Sequence, residues 1–189
     1  AAVQMVGCYE KAGVQKDCIT TRRQMLFRSE ASLDSSPSQL SDVAVVPLRE
    51  VSLEAIQRYD ERHEISPRPH FLELWLRHRA GDVFAARDAE GECHGYVRIR
   101  PCLLPIGEGW RVGPWLAEDP GMASLLLNNA LDHHNGVVLI DTPGHNPSAK
   151  TILGARGFKP MTSTVRMYKG VIPKGHDRNV YGLACLELG

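Results

Sequence analysis

Twice in this chain a β-type run gives way, within a few residues, to an Asx-Pro pair of the kind that opens a helix. Residues 110–117 lead into Asp119-Pro120, and the near-continuous apolar run at 136–142 leads into Asn146-Pro147. Asp or Asn at the cap accepts from the first free backbone N–H groups, and Pro suits the first helical position, where an N–H would have no partner. Two successive strand-to-helix units call for a sheet flanked by helices, an α/β or α+β arrangement.

The remaining elements fit around these two. Residues 43–48 form a short apolar run suited to a strand, and Ser52 caps a helix to about residue 63, with Leu53, Ile56 and Tyr59 at helical spacing. Pro67 and Pro69 interrupt, and 70–78 reads as a second short helix. Strands are expected at 82–87, 93–100 and 110–117, the first two joined by a turn at 88–91. In the middle one, Tyr96, Arg98 and Arg100 alternate with Val97 and Ile99. The helix opened by Asp119-Pro120 is expected to reach His134, the one opened by Asn146-Pro147 to end at Gly157, and strands follow at 163–168 and 180–188. Ahead of this set, residues 1–12 read as helix closed by Gly13 and 18–26 as strand. Residues 29–42, rich in Ser, read as a linker.

Composition narrows the function classes. With 189 residues, 43% of them hydrophobic, the chain can bury one sizeable core and carry extra material. Lys+Arg and Asp+Glu both number 22, so no overall field draws it to nucleic acid or an anionic membrane, and a small specific ligand is the better expectation. The apolar runs at 137–140 and 125–127 are far below the ~20 residues that span a bilayer, and no leader is expected. The five cysteines lack paired CxxC spacing, which suggests reduced thiols, a cytoplasmic protein and no metal. The neighbouring His133 and His134 would point in different directions on a helix and are expected to be solvated.

Asn146, Ala149 and the closing Gly157-Phe158 resemble the signature NxxAxxxYxxxGF of the GNAT N-acetyltransferases. A closer similarity, to the C-terminal domain of the two-domain YitH-like GNAT proteins, rests on 95–98, 113–120, 164–168 and 181–189. This resemblance implies a GNAT acyl-CoA N-acyltransferase fold, a mixed and mostly antiparallel sheet flanked by helices, complete over residues 43–189. Residues 9–14, YEKAGV, resemble the end of the signature helix in a preceding domain. A shift of 144 positions aligns Gly13 with Gly157 and Arg22 with Arg166. Residues 1–28 are accordingly expected to be the C-terminal remnant of a first GNAT domain.

The resemblance implies transfer of an acetyl or acyl group from acetyl-CoA, as co-substrate, to a primary amine on a small molecule or peptide. It points to Leu116, Ala117, Gly121, Met122, Ala123, Ser124 and Asn146 as cofactor-binding residues. The backbone N–H groups of 121–124 are expected to remain available to an anion, although Glu118 and Asp119 oppose one. Asp141, five residues before Asn146, is the candidate catalytic base, with a carboxylate that bonds the following turn as the alternative. The family's tyrosine acid falls at Leu153, Tyr168 is not aimed at the thiol by anything in the sequence, and His145 lies next to the cleft and is expected to face solvent. Tyr9 matches the acid position in the remnant. Arg68, His70 and Trp75 are available on the acceptor side, although Phe71 and Trp75 also suit a core. The degenerate phosphate loop and Leu153 favour a second reading, a non-catalytic GNAT-like module for ligand binding or association. A homodimer completed by shared strands is a further expectation.

Overall fold

The computed structural model describes residues 1–27, 42–104, 107–132, 134–173 and 177–186. After a 3-10 turn at Val3–Met5, the elements are α1 (Val6–Lys11), β1 (Val14–Phe27), β2 (Ala44–Pro47), α2 (Leu53–His63), α3 (Pro69–Leu76), β3 (Asp82–Arg87) and β4 (Cys93–Leu104). They continue with β5 (Gly107–Ala117), α4 (Pro120–Leu131), β6 (Gly136–Thr142), α5 (Pro147–Ala155), β7 (Lys159–Lys169) and β8 (Val180–Gly182). The expected caps form: Ser52 accepts from the Ala55 N–H at 3.0 Å and Asn146 from the Ala149 N–H at 3.1 Å. Gly157, at φ +84°, closes α5 in the left-handed conformation that glycine adopts without steric cost.

One sheet runs β2-β3-β4-β5-β6-β1-β7, with β8 paired to β5 off this path. All neighbours are antiparallel except β5 and β6, which are parallel. This is the mixed, mostly antiparallel sheet expected from the sequence. On one face α4 and α5 bring Leu126, Leu127, Ala149 and Leu153 onto Val97, Ile99, Trp115, Val138 and Ile140. On the other, α2 and α3 bring Ile56, Tyr59, Leu72 and Leu76 onto Ala85, Tyr96 and Leu116.

Several boundaries differ from expectation, among them β4, which runs on to Leu104, and β5, which starts at Gly107. Strand β1 begins at Val14 and β7 at Lys159, because β1 pairs with β6 on one side and β7 on the other and both ladders lengthen the strands they join. Strand β8 spans Val180–Gly182 only, and 187–189 lie outside the described residues. The helix α4 ends at Leu131, and His134 is not solvated. The residue is 5% exposed, with Nδ1 2.9 Å from the Ala130 carbonyl, Nε2 3.1 Å from Asp82, and its ring centroid 4.1 Å from that of Trp110. His133 and nearly all of the expected linker, residues 28–41, fall outside the described residues.

The position of β1 has an energetic consequence. Arg22 lies opposite Asp141 of β6, and its Nε and Nη2 donate to the two carboxylate oxygens at 2.7 and 2.9 Å. Asp141 is 1% exposed, and Arg111 on β5 stands 3.6 Å away. A buried carboxylate stripped of its partner costs about 3–5 kcal/mol. Arg22→Ala is therefore expected to lower the unfolding free energy by roughly 3 kcal/mol, since Arg111 offsets part of the loss, as read from urea denaturation.

Candidate acyl-CoA fork

Parallel strands that feed helices create a crevice beyond their carboxyl ends, where helix N-termini can meet a ligand. Here β5 and β6 pair from Trp110↔Val138 to Val112↔Ile140 and then part, with α4 following one strand and α5 the other. The sequence-predicted residues surround this fork. Leu116 and Ala117 end β5, Asp141 is the last residue but one of β6, Gly121, Met122, Ala123 and Ser124 lie at the start of α4, and Asn146 caps α5.

The fork is filled by the chain itself. Strand β8 runs antiparallel to β5, with Trp115 opposite Gly182 and Leu116 opposite Val180. On the β6 side the Leu183 N–H donates to the Asp141 carbonyl at 2.9 Å. The Asn146 side-chain amide donates to the carbonyls of Arg178 and Val180 at 2.8 and 3.1 Å, while its oxygen caps α5. Asn179 donates to the carbonyls of Ala117 and Glu118 at 3.0 and 3.3 Å. Tyr181 lies within, 2% exposed, its ring centroid 5.1 Å from that of Trp115, and burial pushes its phenol up to about 12. Gly113, at φ +145°, lets the C-terminal segment pass: a Cβ there would collide with the Leu183 carbonyl oxygen.

The amides at the start of α4 are not open as expected. The Asp119 carboxylate accepts from Gly121 N–H at 2.7 Å and Met122 N–H at 2.9 Å, and the Ala123 N–H donates to the Asp119 carbonyl at 3.0 Å. The Ala123 carbonyl takes the indole N–H of Trp115, and the Ser124 carbonyl takes Arg156. An anion would have to displace a carboxylate already seated at the positive end of the helix.

The acid and acceptor candidates are placed as follows. Leu153 is fully buried in the core, Tyr9 is half exposed on α1, and Tyr168 lines a separate cavity of about 500 Å³ beside Thr164–Met167. His145 contacts Asp17 at 2.9 Å, and Cys18 lies beside them with its thiol pushed up by burial. Arg68 is not available to an acceptor, because it donates to both oxygens of Asp60 at 2.9 and 2.7 Å and to Glu64 at 2.7 Å. Tyr96 also donates to Asp60, closing a buried cluster that ties α2 and α3 to β4. His70 is exposed, and Phe71 and Trp75 stack at the margin of the α2–α3 core with centroids 5.2 Å apart. Sequence reading missed Arg22, Asn179 and Tyr181, whose partners are far along the chain. For Asp119 the signal was present, since a capping carboxylate by its nature occupies the first amides.

Comparison with known proteins agrees with this architecture. The profile of the acetyltransferase (GNAT) domain family matches residues 56–182, about two thirds of the sequence. The chain belongs to the GNAT acetyltransferase family. It is similar to holothin acyltransferase of Pseudoalteromonas sp. (strain SANK 73390), 28% identical over 140 residues that cover 73% of this chain and 46% of that protein. Its fold is similar to a putative acetyltransferase from Pyrococcus horikoshii, with TM-score 0.71, 20% identity, and coverage of 98% of this chain and 57% of that one. A putative GNAT acetyltransferase from Novosphingobium aromaticivorans aligns with TM-score 0.55 and 14% identity over 84% of this chain and 69% of that one. The chain thus spans about half the length of its first relatives.

At the outer end of the fork, His94 bridges two carboxylates, with Nε2 2.7 Å from Asp88 and Nδ1 3.1 Å from Glu118. The bond to Asp88 is the larger cause that raises the His94 pKa, against the opposing effect of burial, and the same bond lowers that of Asp88. A histidine whose folded pKa is raised contributes stability that is full below its unfolded value and lost as pH rises through the folded one. Urea midpoints measured between about pH 6 and pH 8.5 are expected to fall for the wild type through this window. In His94→Gln that component of the slope disappears.

Proposed function

We propose that this chain is the C-terminal domain of a two-domain, YitH-like GNAT acyltransferase, and that it serves the enzyme as a non-turnover module. The whole protein transfers an acyl group from CoA to a primary amine in the cytoplasm. The occupation of the fork by β8 carries this reading. A pantetheine chain would need the edge of β5 that β8 already pairs and the Asp141 carbonyl that Leu183 already uses, and a pyrophosphate would need amides that Asp119 already caps. Family members use acyl-CoA as co-substrate, and that chemistry is placed in the preceding domain, whose last helix and strand we assign to residues 1–28. The placement of β1 between β6 and β7 supports this: a strand shared into the second domain's sheet would hold the two domains together. The five free cysteines fit a reducing compartment, and among the described residues no helix is long and apolar enough to cross a membrane.

A second reading keeps turnover in this domain, with Asp141 as base and Leu116, Ala117, Gly121–Ser124 and Asn146 around acetyl-CoA. The position of Asp141 at the floor of the fork favours it. Calorimetric titration of this 189-residue chain with acetyl-CoA separates the two. No heat of binding is expected up to about 1 mM, the range in which cofactor affinities of working enzymes fall. Stoichiometric binding together with acetyl transfer to an amine, abolished in Asp141→Asn at unchanged cofactor affinity, would overturn the module reading.

A further inference from the structure

The outstanding electrostatic anomaly of the molecule lies away from the fork. Arg98 on β4 is 2% exposed, yet among the described residues its side chain makes one hydrogen bond, from Nη2 to the Ala80 carbonyl at 2.9 Å. Arg100, two residues on and on the same face, is half-buried. The Nε groups of both, and the indole N–H of Trp75, meet no acceptor among the described residues. Both guanidinium groups sit over the Trp75 ring, 5.0 and 4.9 Å from its centroid. Burial, together with the charge of Arg100, draws the Arg98 pKa down to about 10. No carboxylate contacts either arginine among the described residues. Two cations withdrawn from water beside each other are costly unless an anion joins them, and the ring face of Trp75 offsets only part of that cost.

The same residues line a groove of about 500 Å³, within the range of small-molecule sites. Its walls are Phe71, Leu74 and Trp75 of α3 against Arg98, Arg100 and Pro101 of β4. Leu74 is 77% exposed, so apolar surface here stands open to water. This part of β4 pairs with Trp110–Val112 of β5, whereas β8 covers Trp115 and Leu116 toward the other end of that strand. The groove and the fork are therefore distinct.

We propose that this groove binds a small amphipathic carboxylate, with the acid group held by Arg98 and Arg100 and the apolar body laid along Phe71, Leu74 and Trp75. The planar guanidinium fork matches a carboxylate in a way an ammonium would not. Trp75 holds both arginines in position from below. An inorganic anion satisfies the charge but leaves the apolar wall wet, and a neutral apolar molecule does the reverse. Only a ligand with both parts answers the whole lining.

The test uses the 189-residue chain, with 3-phenylpropionate as probe and its neutral isostere 3-phenylpropionamide as control, followed through the indole N–H resonance of Trp75. Saturable binding of the acid is expected with Kd of about 1 mM or below, and binding of the amide weaker by at least about tenfold. Arg100→Gln, at a half-buried position where the fold should persist, is expected to weaken the acid by a similar factor and leave the amide unchanged. Leu74→Ala should weaken both. Equal affinity for acid and amide, no saturation by about 10 mM, or an Arg100→Gln variant that is fully folded by its melting curve and binds as the wild type does, would each overturn the proposal.

Discussion

Two parallel strands that part inside a protein leave two rows of backbone N–H and C=O groups facing a gap. Buried groups of that kind must find partners, because each one left unpaired costs about 1–3 kcal/mol. In this chain the gap beyond Val112 and Ile140 is closed by β8, and much of the surrounding structure follows from that closure. Gly113 is needed because the Leu183 carbonyl passes where a Cβ would stand. Asn146 faces inward because the carbonyls of Arg178 and Val180 need a donor. Trp115 and Tyr181 pack together because the strands carrying them are neighbours.

The other half of the sheet depends on a second non-local choice. Strand β1 separates β6 from β7, so a segment that precedes residue 42 supplies the strand next to the β7 edge of a sheet made otherwise from later residues. Arg22 from that segment binds Asp141 at the floor of the fork, and the Asp141 carbonyl receives the N–H of Leu183 from the C-terminal segment. The N-terminal strand, the end of β6 and the C-terminal segment thus meet at a single aspartate. Its carboxylate is engaged on both oxygens, and its main-chain carbonyl holds Leu183, the residue after β8. A residue fixed in this way first serves the architecture, and its carboxylate is taken by Arg22 and Arg111 rather than by the turn at 142–144 that the sequence offered as the alternative.

What could be read from the sequence was local chemistry. Ser52, Asp119 and Asn146 announce helix starts through side chains that bond two or three residues ahead, and β3 and β6 announce themselves by short runs of suitable residues. The fold class followed from their order. What stayed hidden depended on distance along the chain. Nothing near Val180 indicates that it will lie beside Leu116, nor does anything near Arg22 reveal Asp141, because pairing of remote strands leaves only a weak trace in either segment. His134 was misread for the same reason: its environment is set by Asp82 and Trp110, which no helical periodicity links to it. The open amides expected at the start of α4 were a different kind of error, since the Asp119 that signalled the helix was also the group that occupied them.

The energetics of the fork bear on whether β8 is a fixed part of the fold or a stand-in that a cofactor can displace. The side-chain and main-chain bonds of Asn146, Asn179 and Leu183 to either side of the gap contribute about 1 kcal/mol each. The burial of Tyr181 and Leu183 adds roughly 2 kcal/mol apiece. Together these reach several kcal/mol, comparable with the ~8 kcal/mol of a micromolar ligand before that ligand loses anything to the Asp119 carboxylate at its phosphate end. A cofactor entering this fork would therefore retain little net affinity. On the proposed reading, the closure by β8 completes the core of this domain.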